Sequence, residues 1–407
     1  MKKSNLLIAL TMLTCSIVLS PSTANAQDEK QAELERVWYD TCYIKVNAEK
    51  KPIDEDKCYQ LSKELAEKYP TSNYIKNAKG KVDAYEKGKA WEKAWARFET
   101  ALKAYEGAPD ANKLEQLFSA GDDILKLQPD HQYVIGRIAL AGASGALGQI
   151  YKNYDKVKGY GEQALKAFAP AKAPEGWQQS DWDTLREIVM AQINQYLGFQ
   201  LIETKGDQEQ ALGYLAKAIQ VKGKDVGWKD PNNYLLRSGI YSNQYIALRA
   251  EYDKLTDEQK IADAGKEILK KVNELLDTKL IPEYARVLAT ATKPGAKGIY
   301  DVVRPQFDQF WKFRTDAPDK AADYIKSYAN DPAIAAVPIP VKAETTDNLN
   351  APAAPTVGAS NIKLAGPAAV AAGPGGKGAA VNGKNSKNSK AAPAKSSKSS
   401  TKKKRRG

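Results

Sequence analysis

The sequence predicts an all-α protein of stacked antiparallel helical hairpins that ends in a disordered basic tail. Three observations predict this. Between Gln27 and about Asn330, apolar residues recur at intervals of three and four, the spacing that lines one face of an α-helix. The same stretch is interrupted by turn-forming clusters at Tyr69-Pro70-Thr71-Ser72-Asn73, Gln128-Pro129-Asp130-His131, Lys229-Asp230-Pro231-Asn232-Asn233 and Asn330-Asp331-Pro332, each following a helical pattern. From about Pro338 the composition turns to Ala, Pro, Gly, Ser, Asn and Lys, with too little apolar surface to bury for folding. No run of strands is found. A helical stretch of about 300 residues is near the upper limit for one core, a limit that stacked hairpins do not share.

Residues 1–26 read as a signal peptide. Met1-Lys2-Lys3 precedes an uncharged apolar run from Leu6 to Leu19, and Ala24 and Ala26 bracket a cleavage site, the three regions of an export signal. The apolar run is shorter than the roughly 20 residues of a comfortable membrane span. The mature chain is therefore expected to start at Gln27, outside the cytoplasm of a bacterium, in the periplasm or beyond, with no transmembrane helix. A retained anchor fits the polar, proline-containing stretch before Gln27 less well. Lipidation at Cys15 fits less well still, because Met12-Leu13-Thr14 lacks the expected Leu and small residue.

Residues 27–69 are expected to form a helical hairpin. Leu34, Trp38, Cys42 and Val46 share one helical face, Lys50-Lys51-Pro52 breaks the helix, and Cys58, Leu61 and Leu65 share a face of the next. Cys42 and Cys58 lie eight residues either side of position 50, so an antiparallel hairpin brings them together. In an oxidising compartment a disulfide is the default. Closing this loop stabilises the fold by about 3 kcal/mol in the chain-entropy model. Zinc wants four ligands, and the single histidine, His131, is distant in sequence. No metal or cofactor is expected, and the Cys-x-x-Cys spacing of redox pairs is absent.

Across residues 70–255 the chain resembles tetratricopeptide repeats, a family whose unit is two antiparallel helices in about 34 residues. Trp91, Ala94, Phe98, Ala101 and Leu102 stand at the family's large, small, large, small and aliphatic positions of a second helix, with Tyr85 in the helix before. The pattern returns with Leu197-Gly198 and Leu201 in a first helix, a turn at Gly206-Asp207, and Ala211, Ala218 and Ile219 in the second. A weaker copy has Gly145, Tyr154, Ala164 and Leu165, and another ends at Leu125 and Leu127-Gln128-Pro129-Asp130. The equivalent positions Ala101, Ile124, Ala164 and Ala218 are unevenly spaced, so the array is degenerate or interrupted.

Residues 256–337 read as a helical segment without a repeat. Thr256-Asp257-Glu258-Gln259 supplies an N-cap and capping box, and Phe307, Phe310, Trp311 and Arg314 form a face expected to pack on the last hairpin. The resemblance implies partner binding on a concave surface lined by first helices. Gln192, Gln195 and Phe199 are the candidates to face that groove, with Phe199 equally readable as core. Most of the 21 tyrosines lie on these helices, suited to a wet interface or to a core edge.

Catalysis finds little support. There is one histidine and no Gly-x-Ser-x-Gly or His-Glu-x-x-His motif. Gly375-Gly376-Lys377-Gly378 lacks the first glycine of a phosphate loop. Asp54-Glu55-Asp56 and Asp122-Asp123 are read as helix-start charges, favoured there by the helix dipole. The protein is read as a scaffold rather than an enzyme.

Residues 338–407 are expected to be disordered. From Asn348 onward there are twelve basic residues and no acidic one, ending in Lys402-Lys403-Lys404-Arg405-Arg406. The rest of the precursor holds 49 basic and 49 acidic residues, so the pI of about 9.2 is a property of the tail. A polycation in the cell envelope is drawn to anionic lipid or polymer. Nucleic acid is equally suitable chemically, but export separates the chain from it. Two readings follow, a protein-binding adaptor and an envelope module that contacts a polyanion through its tail.

Overall fold

The structure is a computed structural model and describes residues 25–44, 53–224 and 226–342. Helix α1 (Asn25–Tyr39) runs into a single π turn at Asp40–Ile44, and α2 (Glu55–Lys68) packs against both. Asp54 starts α2 by accepting the Lys57 amide at 2.9 Å, which satisfies one of the donors that a helix start leaves orphaned. Trp38, Cys42, Cys58, Leu65 and Ala78 are buried together. The sulfurs of Cys42 and Cys58 are bonded at 2.09 Å, with Cα atoms 5.4 Å apart. The indole N–H of Trp38 donates to Ser62 Oγ at 2.7 Å, so the polar edge of this enclosed ring has its partner. Val46 and the Lys50-Lys51-Pro52 break lie outside the described residues. So does the signal-peptide reading, except for Asn25 and Ala26, which open α1.

Helix α3 (Ile75–Gly107) is unbroken over 33 residues, which corrects the hairpin expected between Tyr85 and Trp91. Only Gly88 weakens the stretch between them, and one glycine costs about 1 kcal/mol against a run of Lys, Glu and Ala. Tyr85 serves the N-terminal hairpin instead: its ring stacks on Tyr59 with centroids 4.3 Å apart, and its hydroxyl donates to Asp56. The chain divides into two compact units with the boundary inside α3, between Arg97 and Phe98.

The second unit continues with α4 (Ala111–Leu127), α5 (Gln132–Leu147), α6 (Tyr154–Ala167), α7 (Gln179–Glu203), α8 (Gln208–Gln220) and α9 (Pro231–Asp253). Asp110, His131, Asn153, Asp207 and Asp230 each cap the helix that follows with a side-chain acceptor. From α4 to α9 each helix packs on its successor, and α5 also packs on α7 and α7 on α9. Alternate helices thus make a layer with the others beside it. Helix α5, rich in Ala and Gly, is buried almost all round. A side chain at Gly142 would press on Phe118 and Val157 at 3.1 Å, and one at Gly136 on Phe168 at 3.0 Å. Asp122 lies inside α4, not at a helix start as expected, where it accepts the Tyr160 hydroxyl at 2.8 Å.

Beyond α9, Thr256 and Gln259 form the capping box of α10 (Asp257–Ile261). Helix α11 (Asp263–Leu275) widens into a π turn at Leu276–Leu280 before α12 (Ile281–Thr290), whose Pro282 has no amide to donate. Helices α13 (Lys297–Arg314) and α14 (Ala321–Lys326) follow. The aromatic face of α13 is buried as expected. Phe310 meets Tyr245 of α9 and Tyr284 of α12, and Phe307 and Trp311 meet Tyr324 of α14. Among the described residues there is no β-strand, only an isolated antiparallel bridge between Thr315 and Val341, and no helix is long and apolar enough to cross a membrane.

Candidate functional site

The α7–α8 hairpin turns at Thr204–Asp207, where Lys205 takes φ 53°. Gly198 lets the two helices close: an added Cβ would lie 2.8 Å from Leu215 Cγ and 3.2 Å from Ala211 O. Leu197, Ala211 and Ala218 are buried within this hairpin; on α3, Ala94, Phe98, Ala101 and Leu102 are buried in their own surroundings, whereas Tyr85 and Trp91 are half-buried.

Gln192, Gln195 and Phe199 do not face an open groove. All three are buried, Gln195 at 2 % exposure, which corrects the groove expectation. Residues 189–200 of α7 are enclosed almost without interruption, because helices pack on α7 from several sides. Phe199 meets Tyr154 edge-on with centroids 6.2 Å apart. Gln195 Nε2 donates to Asp230 Oδ2 at 2.8 Å and to Asn233 Oδ1 at 3.0 Å. Asn233 Nδ2 in turn donates to Gly227 O at 2.8 Å, and the Tyr234 hydroxyl to Trp228 O at 2.7 Å. Burial raises the Asp230 carboxyl above its ordinary range, against the Asn232 amide and Gln195, whose hydrogen bonds favour the charged form. The glutamine of the expected groove is thus committed to holding the loop before α9.

A second polar cluster joins α9 to α12. Glu283 Oε1 lies 2.7 Å from Arg286 Nη1 and 3.1 Å from Arg237 Nη2, and the Glu283 side chain is 2 % exposed. Arg286 also donates from Nε to Pro332 O at 2.9 Å and from Nη2 to Ile334 O at 2.8 Å. Its guanidinium sits 4.9 Å from the centre of the Tyr328 ring. Arg314 makes a bidentate pair with Asp277, both contacts 2.7 Å. These charges are paired with each other and with backbone carbonyls, although Glu283 Oε2, Arg237 Nε and Arg314 Nη1 are buried without a hydrogen-bond partner.

Of these side chains, Arg286 attaches a strap, residues 331–342. It opens on a turn, Ile334 N–H donating to Asp331 O at 3.2 Å and Ala333 N–H to Asp331 Oδ1 at 3.0 Å, and runs on through Pro338 and Pro340 without helix. The Tyr324 hydroxyl donates to Val337 O and Val337 N–H donates to the Tyr328 hydroxyl, both at 2.8 Å; Lys342 N–H donates to Arg314 O at 3.0 Å. Order therefore runs past the boundary read at Pro338. Ile339 is buried, and the polar backbone beside it has partners, which a composition count over the whole tail averages away. The Arg286–Glu283 pair also escaped the sequence reading. Its signal was there: an acidic and a basic residue three apart within Leu280-Ile281-Pro282-Glu283-Tyr284-Ala285-Arg286-Val287-Leu288, a run too apolar to leave them in water.

Residues 343–407 lie outside the described residues, Lys402, Lys403, Lys404, Arg405 and Arg406 among them. Compared with protein-family models, curated proteins and solved structures, the chain matches none.

Proposed function

We propose that the protein is a non-catalytic exported scaffold or adaptor, of tetratricopeptide-like stacked-hairpin architecture, that mediates protein–protein interaction in the cell envelope. The observation that carries this reading is the layer of alternate helices, α5 on α7 and α7 on α9, with α6 and α8 beside them. A stacked-hairpin array requires that packing. The Cys42–Cys58 bond agrees with an oxidising compartment. Because α5 and the middle of α7 are enclosed, the surface left to a partner on this stretch is the outward side of α6 and α8, where Gly159 and Gly213 are exposed. The test is photocrosslinking in the protein's own cells from positions on those two helices. Adducts to a defined protein support the adaptor reading, and their absence from every position refutes it.

The second reading is contact with an anionic envelope lipid or polymer through the tail. It is favoured by the twelve basic and no acidic residues from Asn348 onward. Deleting residues 348–407 separates the two. Envelope binding at physiological salt that survives the deletion refutes the electrostatic reading, whereas a protein adduct lost with it counts against the helical surface.

A further inference from the structure

The strap is held mostly by its main chain; its side-chain contacts are at its two ends, where Asp331 Oδ2 lies 3.6 Å from Lys222 Nζ and Lys342 Nζ lies 5.8 Å from the centre of the Phe313 ring. Pro332 O and Ile334 O are taken by Arg286 of α12, and both polar atoms of Val337 by Tyr324 of α14 and Tyr328 in the turn after it. The Lys342 amide is taken by the end of α13. Three of these donor and acceptor groups are side chains of the helical body, and between Pro332 and Val341 they bond to main-chain atoms only. The strap in turn buries only Pro332 and Ile339; Ala333, Ile334, Ala335, Ala336, Pro338, Pro340 and Val341 are exposed. A segment that belongs to the core buries most of its apolar side chains. This one is bound as a peptide ligand is bound, by backbone hydrogen bonds plus two buried side chains, Pro332 and Ile339.

We propose that the α12–α14 cradle is a peptide-binding site, occupied in this state by the chain's own strap. Its ligand class is a peptide that opens on an Asp-Pro turn, with isoleucine seven residues after the proline and a free amide five residues after it. The spacing is that of Pro332, Val337 and Ile339. Pro332 pre-sets the turn and prolines 338 and 340 an extended backbone, which lowers the ordering cost of docking. A partner segment of this pattern competes with the strap, which is tethered and so acts at high effective concentration. The strap is thereby an internal inhibitor of the site. This inference does not depend on the tetratricopeptide-like reading of α4–α9.

The test uses the full chain with a substitution in the strap and none in the cradle. Ile339→Asp removes a buried anchor, and Val337→Pro removes the amide that reaches Tyr328. Release of the strap is read by hydrogen exchange at residues 333–342, and helical content by circular dichroism. The probe is a fluorescein-labelled synthetic peptide of residues 330–342, followed by anisotropy. We expect saturable binding to the Ile339→Asp chain with a Kd at least tenfold below that for the unsubstituted chain, and at least a tenfold loss when Val337 of the peptide is N-methylated. Should Ile339→Asp fail to fold, Val337→Pro carries the same expectation. Binding no tighter after the strap is released overturns the proposal, as does equal binding of the N-methylated or a scrambled peptide. A strap that stays protected in both variants, or two variants that both lose their helix content, also overturns it, because the strap is then part of the core. A chain that dimerises by light scattering and excludes the peptide shows strap exchange between copies, which likewise overturns it.

Discussion

Gly198 gives the sharpest test of how the α7–α8 hairpin closes, because replacing it with alanine sets two effects of opposite sign against each other. In the middle of a helix, Gly→Ala is worth about 1 kcal/mol of stabilisation. At Gly198 the new methyl lies 2.8 Å from Leu215 Cγ, 3.0 Å from Leu215 Cδ2 and 3.2 Å from Ala211 O. Cγ is the branch point of the leucine, and the carbonyl belongs to the α8 backbone, so relief requires the helices to separate. Overpacking of this kind costs about 1–3 kcal/mol, and the net expectation is a loss of about 1 kcal/mol. Gly159 and Gly213 are the controls. They lie inside α6 and α8 with nothing within 4 Å of an added Cβ, so alanine there stabilises by up to about 1 kcal/mol. Urea unfolding followed at 222 nm on the oxidised protein should lower the midpoint for Gly198→Ala and raise it for the other two. Adding Leu215→Ala should couple favourably with Gly198→Ala, since it vacates the space the methyl needs. A Gly198→Ala chain as stable as Gly159→Ala would refute the close approach.

Three further expectations concern covalent, ionic and titratable groups. Replacing Cys42 and Cys58 by serine should cost the N-terminal hairpin about 3 kcal/mol, read as faster hydrogen exchange in residues 55–68; unchanged exchange would show that packing around Trp38 suffices without the bond. Arg286→Met should destabilise by about 3–5 kcal/mol, because it strips Glu283 of its nearer partner while leaving the carboxyl buried, and adding Glu283→Gln should recover part of that loss in denaturant melts. Burial pushes the Tyr105 and Tyr245 phenols up to about 12. Their folded-state pKa lies above the unfolded value near 10, so the stability they contribute is fully present below pH 10 and is lost as pH rises through about 12. Absorbance at 295 nm should show them ionising together with loss of helix, and reversible titration near pH 10 with helix intact would contradict their burial.

Much of the helical order was legible because it rests on local chemistry. The Cys42–Cys58 pair followed from helix periodicity and one break, and the capping box at Thr256 and the breaks at Pro70 and Pro129 are written in short motifs. The failures are where long-range packing decided. Gly88 resembles a turn residue, yet its neighbours are strong helix formers and α3 runs through it. Gln195 has the polarity of an exposed face, but periodicity cannot tell water from Asp230 and Asn233 as the partner. The strap was unreadable for a related reason: its partners, Arg286, Tyr324 and Tyr328, recognise its backbone, which carries no sequence signature.

The strap also fixes where the charged tail leaves the body. Lys342 is tied to Arg314 O at the end of α13, so Asn348, where the purely basic stretch begins, is within about 20 Å of that point even if the chain between is fully extended. The first lysine of that stretch, Lys363, is 21 residues beyond Lys342 and so within about 70 Å of the α13 end. If the strap is displaced, the eleven steps from Asp331 to Lys342 become free linker and the same stretch reaches roughly 40 Å further. The two parts that differ so sharply in charge are therefore coupled through one segment. Ile339→Asp, chosen to open the peptide site, should also lengthen the span over which the tail can be crosslinked to the body. A crosslinker of fixed length placed between Lys363 and the exposed side of α13 should lose yield in that variant, and an unchanged yield would mean that strap and tail act independently.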